Sequence, residues 1–152
     1  MRPFVYPKEA PLFEFFKKRS EFDDQKKEVF VDAVSTMLEL QLVAVGNRSI
    51  EDGAGNPNRN AMGYVYGFID AALRTIGQDM GNKSVGMPIT FQVLRRVFPG
   101  CEELYLQYLT ERMGTDEQVM IGAMTGGQQY IDYVKGKLAA PMGLARYILD
   151  SQ

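Results

Sequence analysis

Apolar residues recur at three- and four-residue intervals along most of the chain, and no segment sustains the two-residue alternation of a half-buried strand. This pattern predicts an all-α fold: a compact bundle of six to seven helices in a single domain over residues 1–152. Prolines at 3, 7 and 11 hold an extended arm over 1–10, and Pro11 opens a short helix over 11–19. Asp23 or Asp24 caps a long helix running to 45. Its two apolar stripes, Val31-Val34-Leu38-Leu42-Val45 and Phe30-Ala33-Met37-Leu40-Ala44, cover more than half of its circumference, which predicts the central helix. A polar linker with three glycines, read as flexible, spans 46–56. Asn56-Pro57 then predicts an N-cap and first position for a helix over 57–79. Further helices follow over 88–98, 101–113, 115–138 and 141–149. In the second of these Leu104, Tyr105, Tyr108 and Leu109 face inward, and a Thr115-x-x-Gln118 capping box opens the third.

The helix over 57–79 carries a stripe of Asn60, Gly63, Gly67, Asp70 and Arg74, which step by three, four, three and four and so share a face. An interior glycine costs about 1 kcal/mol relative to alanine, so two of them imply a close approach. The approaching group is either another backbone or a ligand or partner. The helix over 115–138 has a similar face in Gln118, Gly122, Gly126, Gln129 and Asp132. Ala61-Met62 and Ile69-Asp70 recur as Ala123-Met124 and Ile131-Asp132, an offset of 62. A decayed duplication of a helix–turn unit, two copies of one packing solution, and chance all account for this. Under duplication the glycine faces meet across a pseudo-twofold axis with Asp70 and Asp132 at related positions. The binding candidates are therefore Asn60, Gly63, Gly67, Asp70, Arg74, Gly122, Gly126, Gln129 and Asp132, with Arg48, Glu51, Asp52 and Asn56 as polar linker candidates.

Composition narrows the chemistry. The 152 residues include no His, no Trp, one Cys, nine Met and eight Tyr. Without His there is no Ser-His-Asp triad, no Cys-His pair and no imidazole ligand. One cysteine cannot close an intrachain disulfide or complete a thiolate zinc site, and no metal or cofactor is expected. A net charge of −2 opposes a phosphate-driven nucleic-acid binder. The longest strongly apolar run, 42–45, is far too short to span a membrane, and 1–11 lacks a signal-peptide core. The chain therefore reads as a soluble cytoplasmic protein. Gly77 to Ser84 has the wrong glycine-to-lysine spacing for a phosphate loop, and 52–56 lacks the ligands of a calcium loop.

Gly63-Tyr64-x-x-Gly67-x-x-Asp70-Ala71 followed by Pro88-x-x-x-Gln92-x-Leu94-x-x-Val97 resembles the core pattern of Rap1a-type immunity proteins of type VI secretion. The resemblance covers residues 63–97. It implies a small all-helical inhibitor that binds a cell-wall amidase toxin through a helical or loop surface and has no catalysis of its own. The chain departs from that family in lacking paired cysteines. The reading is a non-enzymatic protein–protein interaction module: an immunity or inhibitor protein, an adaptor, or an assembly subunit of bacterial or phage origin. Its partner is another protein, itself as a homodimer, or both. One alternative is an enzyme using Asp70, Asp132, Arg74 and Gln129 in a cleft between the glycine helices. Another is a carrier of a small apolar ligand in a cavity lined by Met and Phe.

Overall fold

The computed structural model describes residues 22–46, 49–52 and 55–151. These form six helices: α1 Asp24–Ala44, α2 Arg59–Thr75, α3 Gly86–Val97, α4 Glu102–Arg112, α5 Glu117–Val134 and α6 Gly143–Asp150. Among the described residues there is no sheet, only an isolated bridge between Glu51 and Pro57. The fold is all-helical. The arm expected over 1–10, the helix over 11–19 and Arg48 lie outside the described residues.

The central helix is α2, not α1. Eleven of the 17 residues of α2 are buried, and α2 touches all five other described helices. Tyr64, Val65, Phe68, Ile69 and Leu73 lose all exposure there. The broad stripes of α1 misled because, among the described residues, only one side of that helix is covered. Phe30, Val34 and Leu38 are buried, whereas Leu40 and Val43 remain more than 60% exposed. The same holds for α4, where Tyr105 and Leu109 face the core but Leu104 faces solvent. An ion pair between Arg96 of α3 and Asp32 fastens α1 from outside.

Helix starts are set by whichever side chain reaches a free amide. Asp23 accepts from Lys26 N at 2.9 Å and opens α1 as expected. Asn58, and not Asn56, caps α2 by accepting from Ala61 N at 2.9 Å. Pro57 is thereby left outside the helix, in the bridge with Glu51. That bridge, with Asn58 N donating to Ile50 O, folds the described linker back on itself and buries Ile50.

Asp116 rather than Thr115 caps α5, taking hydrogen bonds from Gln118 N and Val119 N. Arg59 and Arg112 both reach its carboxylate at 3.5 Å. Burial alone would raise the Asp116 pKa; the Val119 amide, Arg59, the Gln118 amide and Arg112 together outweigh it, so it lies below its ordinary value. A depressed folded pKa gives stability that is present above the unfolded value and is lost as pH falls through the folded one. Asp116→Ala is expected to cost about 1 kcal/mol in urea unfolding at neutral pH. The gap from wild type should close below pH 3.8, the ordinary value. An acid-independent gap would contradict the assignment of this cap.

Candidate functional site

The glycine faces of α2 and α5 meet. A Cβ built on Gly63 would fall 1.9 Å from Val119 O, and one on Gly67 would fall 1.9 Å from Ala123 O. Reciprocally, a Cβ on Gly122 would fall 2.0 Å from Asn60 O, and one on Gly126 would fall 2.1 Å from Tyr64 O. The contacts climb both helices together, so α2 and α5 run parallel. Each glycine lies against the carbonyl of the residue three positions before its counterpart. The backbones themselves are in contact, which favours dispersion and Cα–H···O interactions over the helix propensity lost at the four glycines.

This contact relates the helices by an offset of 59, which corrects the offset of 62 read from the sequence. Gly63, Gly67 and Gly77 correspond to Gly122, Gly126 and Gly136. The relation extends to the helix ends. Gly77 and Gly136 both have φ +78°, a left-handed conformation that glycine adopts without strain. Gly77 N donates to Arg74 O and Gln78 N to Leu73 O; Gly136 N donates to Tyr133 O and Lys137 N to Asp132 O. Asp70 is therefore equivalent to Gln129, and the matched pair of aspartates is not a symmetric pair. The amphipathic identities at 62 reflect helical periodicity on differently oriented helices.

One flank of the seam is filled by α6. Tyr64 donates to Gln129 Oε1 at 2.6 Å, and that oxygen also accepts from Gly143 N at 2.9 Å. Gln41 of α1 donates to Tyr64 Oη at 3.2 Å while its own Oε1 accepts from Leu144 N at 2.9 Å and Ala145 N at 3.4 Å. The free amides of the first turn of α6 are thus capped by glutamines from two other helices, since Met142 makes no side-chain cap. Burial pushes the Tyr64 phenol up to about 12, against the opposing hydrogen bond from Gln41. Tyr147 Oη donates to Thr125 and closes this side.

Among the described residues the other flank is open. A groove of about 630 Å³ has Gly67, Ala71, Ala123 and Gly127 among its lining, where the absence of bulky side chains leaves backbone as floor. Met80, Met113, Met120 and Met124 wall it, from two loops and α5. Met124 is 74% exposed. Tyr66, Asp70, Arg74 and Asp79 form its polar rim, with Asp70 and Arg74 paired at 3.0 Å. Burial raises the Tyr66 pKa, and the nearby Asp70 carboxylate adds to the effect.

The sequence candidates thus separate into four groups. Gly63, Gly67, Gly122 and Gly126 are packing residues of the seam. Asn60 ties its lower end, donating to Gln118 O and Oε1 at 2.9 and 3.1 Å. Gln129 is committed to α6. Only Asp70 and Arg74, with Gly67, line the groove; Asp132 is not among its lining and accepts instead from Gln128 at 2.9 Å. Glu51, Asp52 and Asn56 likewise lie outside the groove; Asp52 accepts from Asn56 N at 3.1 Å within the linker. The clustering of Asp70, Asp132, Arg74 and Gln129 in one cleft is therefore corrected. Gln41 and the loop methionines 80 and 113 were missed. Gln41 had one signal, a lone amide inside the apolar stripe between Leu38 and Leu42.

Among the described residues no cluster of three or more His, Cys, Asp or Glu side chains is placed to hold a metal, and no helix is long and apolar enough to cross a membrane. No family model, no curated protein and no solved structure matches the chain.

Proposed function

We propose that this protein is a non-enzymatic interaction module whose partner is another protein, and that the contact surface is the methionine-walled groove beside the α2–α5 seam. The roles consistent with that reading are immunity or inhibitor protein, adaptor, and assembly subunit. The observation that carries it is the exposure of Met120 and Met124, which line the groove from α5, a helix whose buried residues are only Val119, Gly122 and Gly126. Large apolar side chains grouped around an open concavity favour contact with a second macromolecule. Methionine suits the task because its unbranched, polarizable side chain repacks around different shapes. The groove is open along α5 and not an enclosed cavity, which favours a protein surface over a carried small molecule.

The test is comparative capture from a lysate of the source organism with wild type and Met124→Asp as baits. Position 124 is exposed, so the substitution should leave the fold within about 0.5 kcal/mol of wild type, checked by circular dichroism. The expected result is a protein retained by wild type and reduced at least about tenfold with the folded variant. Equal recovery of the same proteins by both baits, or no specific recovery by either, would sink the proposal.

A further inference from the structure

We propose that the groove takes an amphipathic helix of the partner, with apolar side chains set among the methionines and a lysine or arginine directed at Asp70 and Asp79. This rests on the interaction-module reading and adds the class of partner.

Three observations carry it. First, the same seam already accepts a helix on its opposite flank, where Gly143 and Tyr147 of α6 meet Gln129 and Thr125 of α5. Both flanks are bounded by α2 and α5, and among the described residues no helix lies in the second. Second, the groove's wall is made of four methionines, Met80, Met113, Met120 and Met124, a lining that suits the apolar stripe of a docked helix. Third, the rim is acidic in balance. Asp70 and Asp79 line it against one cation, Arg74, which is already paired with Asp70. Both carboxylates stand toward the end where α2 terminates at Thr75, whose carbonyl end carries partial negative charge. Lys135 and Lys137 follow the end of α5 but do not line the groove. An apolar trough with one surplus carboxylate matches a helix that is apolar on one face and basic at its edge.

The experiment uses the full chain labelled with 13C-methyl methionine. The probes are a leucine–lysine peptide with helical amphipathic spacing, its leucine–glutamate counterpart, and the lysine peptide interrupted by a central proline. The lysine peptide is expected to shift the methyl signals of Met80, Met113, Met120 and Met124 while those of Met37 and Met62 stay in place. Its affinity should exceed that of the glutamate and proline peptides at least tenfold. Asp70→Asn with Asp79→Asn should weaken it about three- to tenfold at low salt and less at high salt. Unmoved groove methyls, equal binding of the glutamate peptide, unchanged affinity of the double variant, or the same shifts on concentrating the protein alone would each overturn it. The last outcome would assign the groove to a second copy. If these peptide tests fail while Met124→Asp still loses a captured protein, the interaction module stands and only its partner class is wrong.

Discussion

Gly67→Ala is expected to destabilise the protein by at least about 3 kcal/mol. The added methyl would fall 1.9 Å from Ala123 O and 2.6 Å from Ala123 C. Both are backbone atoms of a helix, so no side-chain rotation relieves the overlap. The helices must separate, and the reciprocal contact of Gly126 with Tyr64 O is lost with them. Against a typical total stability of about 5–15 kcal/mol this is a large fraction, and Gly67→Ala with Gly126→Ala is expected not to fold. Gly127→Ala is the control, one residue from Gly126. Its nearest non-local atom would be Gly67 O at 3.4 Å, an ordinary contact. Relief of the glycine penalty should leave it neutral or more stable by up to about 1 kcal/mol. Urea unfolding of the two variants decides the matter: a Gly67→Ala protein as stable as Gly127→Ala would mean that the helices do not meet backbone to backbone.

The second large effect is expected at Gln41→Leu, at about 2–4 kcal/mol. The side chain is 2% exposed and joins three helices. Leucine matches its bulk but leaves Leu144 N and Ala145 N without their acceptor, in a place water does not reach. Unsatisfied buried amides are costly because they lose solvent without gaining a partner. The loss should be local before it is global. Amide exchange at Leu144 and Ala145 should rise to match the fraying of α6, while exchange in α2 changes only by the overall loss of stability. Tyr64→Phe is expected to cost less, about 1–2 kcal/mol, since Gln41 and Gln129 keep their bonds to the α6 amides. Retained protection at Leu144 in Gln41→Leu would show that the trans cap does not hold α6.

Much of this fold was legible from local chemistry. Helical spacing placed the six described helices to within a few residues, because a helix's hydrogen bonds close within four residues of sequence. The glycine stripes pointed correctly to a close approach, because a helix interior tolerates two glycines only where something needs their missing side chains. What could not be read was which group approached, and in which register. Apolar identities at 62 seemed to relate the helices, yet Gly63, Gly67 and Gly77 recur at 122, 126 and 136. Apolar matches arise on any pair of amphipathic helices, whereas steric fit fixes the glycines and left-handed caps.

The candidate site divided along the same line. In the sequence reading Asn60, Asp70 and Arg74 share the stripe of one helix and Gln129 belongs to the stripe of another, but a stripe names a face of one helix and not its neighbours. Once α5 settles on Gly63 and Gly67 and α6 on Gln129, only Asp70 and Arg74 are left to line open space. The breadth of the apolar stripe on α1 likewise did not say how much of it would be covered, and Leu40 and Val43 stayed outside. The described helices, the side-chain caps of α1, α2 and α5 to within a residue or two, and the need for a tight helix contact are legible in the sequence, because all are consequences of interactions between near neighbours. Only long-range packing puts α2 at the centre, sets the two glycine helices parallel at an offset of 59 and, among the described residues, fills one flank of their seam while leaving the other open. Those depend on how separated surfaces fit together, and shape complementarity between distant segments leaves no periodic trace in either one.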